Sequence, residues 1–263
     1  MRIVSWNINS VRLRIESVAR LVAELSPDIL CLQEIKVTDA AYPQSAFTEM
    51  GFTDHAVFGQ KGYHGVSIHS RLPISRAHRK HWCGREDSRH IWVTLASGLE
   101  VHNFYVPAGG DVPNVEENEK FAHKMAFLDE MTEWFVKNHK STDPAILVGD
   151  LNIAPLETDV WSHKQLLKEV SHTPVEVDGL NGVMAAHKWI DAVRIFVPPE
   201  EPLYSWWSYR NRTWPGSNRG RRLDHIWVTP PLEDKLRGAS VFTEARGWEK
   251  PSDHAPVLVD IDL

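Results

Sequence analysis

The chain has 263 residues, 42% hydrophobic and 24% charged, an ordinary globular balance that excludes a disordered tail, a fibre or a low-complexity scaffold. Its two cysteines, Cys31 and Cys83, are too few for a disulfide framework and too far apart for a zinc or redox motif, so a reducing cytoplasm is the expected compartment. A net charge of −6 argues against a protein that coats nucleic acid by bulk charge and shifts attention to local basic surface. No apolar run approaches the roughly 20 residues of a membrane span. The first strand pattern starts at Met1, which predicts no cleaved leader. No linker or repeat divides the chain, so one domain over residues 1–263 is expected, working as a monomer.

Residues 2–9 alternate as a half-buried strand, with Ile3, Trp6 and Ile8 among the apolar members. Val11, Ile15, Val18, Val22 and Leu25 then form a helical stripe that Pro27 ends. Residues 28–34 read as a nearly continuous apolar strand stopping at Glu34, with Cys31 as a small buried hydrophobe. Strands follow at 90–96 and 100–106, then a loop marked by Pro107, Gly109, Gly110 and Pro113. Phe121, Leu128 and Phe135 set a helix within 116–139. Residues 145–152 repeat the design of the second strand, Ile146-Leu147-Val148 running into Gly149-Asp150-Leu151-Asn152. A third helix is predicted over 158–170, and further strands at 223–229, 238–243 and 257–261. Many strands with a few helices, in neither strict alternation nor an all-β list, predict an α/β fold of two packed mixed sheets covered by helices, a four-layered sandwich.

The chemistry sits at the strand ends. Asn7 and Asn9 close the first strand, Glu34 the second, Asp150 and Asn152 the central one, and Asp224 and Asp253-His254 lie near the C-terminus. Because side chains alternate along a strand, Asn7 with Asn9, and Asp150 with Asn152, are expected to share a side and reach one site. Hard oxygen donors around a divalent cation, with one group that moves a proton, are what phosphodiester hydrolysis needs. Between Tyr209 and Arg222 stand Arg210, Arg212, Arg219, Arg221 and Arg222 without an acid, next to Trp206, Trp207 and Trp214. Aromatic faces among guanidinium groups suit a groove that stacks bases or sugars and follows phosphates.

Five segments, Ser5-Trp6-Asn7-Ile8-Asn9-Ser10-Val11-Arg12, Leu32-Gln33-Glu34-Ile35-Lys36, Gln60-Lys61-Gly62-Tyr63-His64-Gly65-Val66, Gly149-Asp150-Leu151-Asn152 and Glu249-Lys250-Pro251-Ser252-Asp253-His254-Ala255-Pro256, resemble in order the motifs of the exonuclease III family of abasic-site endonucleases. That resemblance implies Mg²⁺, with Mn²⁺ as a substitute, held principally by Glu34 with Asn7 and Asp253 close by and Asp150 and Asn152 adjoining. It implies Asp150 as the group that activates water or protonates the leaving oxygen, and Asn152 as its substrate-orienting neighbour. His254 is similar to the histidine on the scissile phosphate, Asp224 to the carboxylate that fixes its tautomer, and Tyr105 to a tyrosine near the phosphate. Asn9 and Arg12 in the first motif, with Lys36, Lys61 and Arg89, are expected to position phosphates.

The implied activity is incision of double-stranded DNA 5′ to an abasic site, leaving a 3′-hydroxyl, with 3′ to 5′ exonuclease and 3′-phosphatase activities. Two positions depart from the family pattern. Ala108 stands where an amide is common, and Arg221 where Trp or Leu is common. Trp206, Arg221 and Leu223 are expected to border the pocket for the base-less sugar, and Arg221 raises the alternative of a chiefly 3′-trimming exonuclease. Other readings are a phosphoinositide or sphingomyelin phosphodiesterase and a DNA binder that lost the reaction. The first lacks a membrane-binding segment, and the second has no use for so many carboxylates facing a polyanion.

Overall fold

A computed structural model describes residues 1–210 and 214–263, so Arg212 of the basic stretch lies outside the described residues. In chain order the elements are β1 (Arg2–Asn7), α1 (Ile15–Leu25), β2 (Ile29–Gln33), α2 (Gln44–Glu49), β3 (Asp54–Phe58), β4 (Val66–Ser70), β5 (Ile74–Trp82), β6 (Arg85–Leu95) and β7 (Glu100–Tyr105). They continue with α3 (Glu119–Asn138), β8 (Ala145–Asp150), α4 (His163–Leu166), α5 (Pro174–Ala186), β9 (Ile190–Asp191), β10 (Trp206–Trp207), β11 (Gly220–Arg221), β12 (Asp224–Val228), β13 (Leu236–Val241) and β14 (Val257–Ile261). Two six-stranded sheets form, ordered β13-β14-β1-β2-β4-β3 and β5-β6-β7-β8-β12-β9, while β10 and β11 make a separate ribbon. Each large sheet is antiparallel except for one central parallel pair, β1 with β2 and β7 with β8.

The period of two in these strands sorts the core into layers. Ile3, Ile29, Cys31, Val101, Ile146, Val148, Ile226 and Val228 meet between the sheets. The alternate residues point outward: Val4, Trp6, Leu30 and Leu32 pack with Val18, Leu21 and Val22 of α1 and Phe47 of α2. On the other side Phe104, Leu147 and Trp227 pack with Phe127, Met131 and Phe135 of α3 and Leu180 and Val183 of α5. This is the four-layered α/β sandwich expected from the sequence. Among the described residues no helix is long and apolar enough to cross a membrane.

The predicted helix over 158–170 is replaced by a 3₁₀ turn at Glu157–Asp159 and the single turn of α4. Tertiary contacts override the local pattern there: Arg194 and Arg222 hold Asp159, and Val160 bridges to Arg221. The longer helix is α5, which the sequence reading missed although its start carries a capping box of Thr173 and Glu176 with Pro174 at the first position. Strands β3, β4 and β5 were also missed; β5 is an edge strand whose Arg76, Ala77, His78 and Arg79 are exposed, so it lacks the buried stripe that a periodicity search detects.

Candidate active site

The parity that fills the core also builds the site. On the inter-sheet face of β1, Ile3 is followed by Ser5 and then Asn7; on β7, Val101 by Asn103 and then Tyr105; on β8, Val148 by Asp150. Each strand passes from apolar to polar toward the same pole. Below the site lies a buried polar layer, where Gln33 Nε2 donates to Ser5 Oγ (3.0 Å) and Asn103 Oδ1 (2.7 Å). Asn103 Nδ2 in turn donates to the carbonyls of Leu32 and Ser67. Strand β12 begins where β8 ends, with Asp224 directly across from Asp150.

Asn7 joins the two sheets at this pole. Its Nδ2 donates to Glu34 Oε1 at 2.9 Å and to Asp150 Oδ2 at 2.8 Å. Tyr105 hydroxyl donates to the same Glu34 oxygen at 2.9 Å, and Lys36 Nζ pairs with Glu34 Oε2 at 2.8 Å. His254 Nδ1 lies 2.8 Å from Asp224 Oδ2, which also accepts from Ser205 Oγ at 2.6 Å, and His254 Nε2 is 3.7 Å from Asp150 Oδ2. Asp253 faces the opposite wall, accepting from Asn9 Nδ2 (3.1 Å) and Trp206 Nε1 (3.0 Å).

The expectation that pleat alternation places Asn9 beside Asn7 and Asn152 beside Asp150 is corrected. Both strands have ended, and Asn9 and Asn152 adopt left-handed backbone with φ of 46° and 55°. What pairs them is a shared turn: Asn9 N–H donates to Asn7 Oδ1 (3.1 Å) and Asn152 N–H to Asp150 Oδ1 (3.0 Å). Asn and Asp tolerate and stabilise that conformation through their own side chains. Asn152 Nδ2 then donates to Val106 O, fixing the amide beside Asp150.

Glu34, Tyr105, Asp150, Asn152, Asp253 and His254 line one cavity of about 1000 Å³, and Trp206, Arg221 and Leu223 line it too. Arg210, Arg219 and Trp161 stand at the same wall, the Arg219 guanidinium 4.7 Å from the Trp161 ring centre. Ala108 lines it too. The remaining candidates divide. Arg89 is buried, pairs with Asp87 and donates to Tyr105 O, with its guanidinium 5.0 Å from the Tyr105 ring, so it supports the tyrosine. Arg12 and Lys61 are exposed and do not line the cavity. Two residues from Arg12, buried Arg14 ties Lys250 and Pro251 to Tyr209 and to the turn at Ile8 and Asn9. Arg222 leaves the groove altogether, buried against Asp191 and Asp159, and Trp207 is buried against Asn218.

Sequence reading also missed what underlies Asn152. Fully buried Lys124 donates to the carbonyls of Asn152 (2.8 Å) and Ala108 (3.3 Å) and pairs with fully buried Glu176. Glu176 caps α5 and accepts from Ser171 and Thr173. Its only sequence signal is the capping box. Ser205, which orients Asp224, carries none.

Burial disfavours charge throughout this pole, and neighbours decide each outcome. On Glu34, Lys36 and the Asn7 amide outweigh burial and hold the carboxyl below its ordinary range. Burial pushes Asp150 above its range against the attraction of His254. His254 goes up despite burial, because Asp224 and Asp150 favour the imidazolium. Burial, then Glu34 and Asp150, push the Tyr105 hydroxyl up, so it stays a donor. The carboxylates suit a hard divalent cation: Glu34, Asp150 and Asp253 bring oxygens to one cavity, and among the described residues buried Asp224 Oδ1 beside them has no hydrogen-bond partner.

Comparison with known proteins agrees with this geometry. The chain is 30% identical to the exodeoxyribonuclease III of Haemophilus influenzae over 272 aligned residues, 99% of each chain. The structure of an AP endonuclease from Archaeoglobus fulgidus superimposes with a TM-score of 0.93 at 29% identity, covering 100% of both chains. That of the 3′ phosphatase NExo from Neisseria, bound to a product DNA hairpin, gives 0.90 at 31% identity, again over 100% of both. A model of the endonuclease/exonuclease/phosphatase family matches residues 4–254, nearly the whole sandwich and every strand end that feeds the site, and the chain belongs to that family.

Proposed function

We propose that this protein is a DNA-repair phosphodiesterase that cuts duplex DNA 5′ to an abasic site, leaving a 3′-hydroxyl, and also trims and dephosphorylates 3′ ends. One observation carries the reading: Asn7 bridges Glu34 and Asp150 beside the Asp224–His254 pair, on the floor of a cavity walled by Trp206 and arginines. Residues from Asn7 to His254 contribute, so the whole chain is proposed to act as one catalytic unit, a monomer of the cytoplasm.

Glu34 and Asp253 would hold Mg²⁺ or Mn²⁺, with Asn7, Asp150 and Asn152 adjoining. When bound, the cation neutralises charge growing on the phosphoryl oxygens. His254, held by Asp224, donates its Nε2 proton as a hydrogen bond to a non-bridging oxygen. Asp150 moves the proton: it takes one from water as the new O–P bond forms, and returns one to the 3′ oxygen as the old P–O bond breaks. A carboxyl raised by burial is suited to both halves of that exchange. Trp206, Leu223 and Arg221 border the space for a flipped-out deoxyribose, and flipping is cheapest where no base remains.

Arg221 favours a second reading, chiefly 3′-end trimming. Its guanidinium lies 5.6 Å from the Trp206 ring and is fixed by bonds to Val170 O and Ser171 Oγ (both 2.7 Å), a cationic wall where a terminal phosphate can dock. Time courses on one duplex with an abasic-site analogue and a labelled 3′ end separate the two. Chelator is expected to abolish both cuts and Mg²⁺ to restore them; full turnover in chelator would overturn the mechanism.

A further inference from the structure

A second cluster of ligating side chains lies at the other end of β7, on its other face. Glu100 and His102 share the outward side of that strand, and His139 caps the C-terminus of α3 above them. His139 Nδ1 is 2.9 Å from Glu100 Oε2, His102 Nε2 is 3.6 Å from the same oxygen, and the three ligand atoms lie within 4.8 Å of one another. They line a cavity of about 520 Å³ together with His187. Nothing in the proposed cleavage uses it; β7 alone separates Glu100 from Tyr105 by roughly 17 Å at the rise of an extended strand.

We propose that Glu100, His102 and His139 form a binding site for a divalent transition metal of the zinc type, clamping the start of β7 to the end of α3. The observation that points to a ligand is His102. Its ring is fully buried, and among the described residues Nε2 makes no hydrogen bond of normal length, its nearest acceptor being Glu100 Oε2 at 3.6 Å. The other nitrogen, Nδ1, lies 3.2 Å from His90 Nε2. Donation from His102 Nδ1 to His90 leaves a lone pair on Nε2 aimed at Glu100, the arrangement in which a ligating histidine is oriented by a hydrogen bond behind it. Four-coordinate zinc has metal–nitrogen and metal–oxygen distances of about 2.0–2.2 Å, which sets neighbouring ligand atoms roughly 3.3–3.5 Å apart, against 2.9 and 3.6 Å for the two nitrogen–oxygen separations here. The same cavity is lined by His187, whose buried Nε2 likewise has no partner among the described residues. Imidazole donors select zinc-like ions over Mg²⁺.

The test is thermal melting and Co²⁺ absorption of the full chain in excess Mg²⁺, for wild type, Glu34→Gln, His139→Asn and Glu100→Gln. The His139 side chain is mostly buried and bonded to Glu100, so each protein's metal response is read against its own metal-free melt, and circular dichroism checks that each is folded. Zn²⁺ should raise the melting temperature, and Co²⁺ give a tetrahedral visible spectrum, for wild type and Glu34→Gln alike, with affinity falling at least tenfold in the other two. Equal responses in all four proteins, or loss in Glu34→Gln alone, would overturn the proposal by placing the ion elsewhere.

Discussion

Strand β7 carries two different chemistries at its two ends. At its C-terminal end Tyr105 points between the sheets into a pole of carboxylates and amides; at its start Glu100 and His102 point outward, under a helix and among imidazoles. The pleat separates the faces, and the surroundings separate the donors. Between the sheets, parallel pairs β1–β2 and β7–β8 end together and contribute short polar residues from four strand ends. On the outer face, the rings of His90, Trp92 and His102 stack, Trp134 meets His102 edge-on and His139 at a tilt, and nitrogen donors prevail. One strand therefore serves a carboxylate pole and an imidazole pole without sharing a side chain between them.

The sharpest way to break this division is at the carboxylate pole. Asp150→Asn and His254→Asn are each expected to lower kcat/KM on abasic duplex by about 10²–10⁴-fold, the usual cost of losing a group that moves a proton or stabilises the phosphoryl charge. Glu34→Gln should match them, with circular dichroism confirming that each of the three proteins is folded. Wild-type turnover in any one would remove its role.

Next in size is the support beneath that pole. Lys124→Met leaves Glu176 charged and fully buried, and is expected to cost about 3–5 kcal/mol in denaturant unfolding, as for other broken buried pairs. A cost below about 1 kcal/mol would show that Asn152 and α5 do not depend on it. Trp206→Ala should then cost about 10- to 100-fold in abasic incision, about 1.4–2.7 kcal/mol for loss of the wall against the sugar, with a smaller effect on 3′ trimming. Equal losses in incision and stability would remove the sugar-pocket assignment.

The smallest effect belongs to the imidazole pole and is absent at neutral pH. Burial lowers folded His102 and His187 to about 4 against an ordinary 6.5, and lowers His90 as well. Between those values the unfolded chain binds the extra protons, so stability is fully present above pH 6.5 and falls as the pH drops toward 4. Replacing His187 by Gln should flatten that slope in unfolding titrations, whereas replacing exposed Arg12 should leave it unchanged.

Much of this was legible in the residue order. Apolar runs ending in Glu34 and Asp150 read as central strands because burial on both faces leaves no alternation to confuse. The motif residues that gather here, from Asn7 to His254, came from that reading and from the family resemblance. What was not legible has common physical causes. Strand β5 is an exposed edge, and α4 was cut short by ion pairs from Arg194 and Arg222, which are distant in sequence. Arg222, Arg89 and Arg14 read as phosphate contacts or passed unnoticed, because a sequence shows charge but not whether an acid or a carbonyl waits inside for it.

The sequence by itself determined the layers, since period-two strands and amphipathic helices can bury their apolar faces in few ways, and it placed acids and amides at the strand ends. Only the tertiary structure decided that these ends meet across two sheets, that Asn7 is the bridge, and that Glu100, His102 and His139 converge at the far pole. Convergence of residues far apart in the chain is set by sheet register and packing, and these depend on contacts that local propensity does not encode.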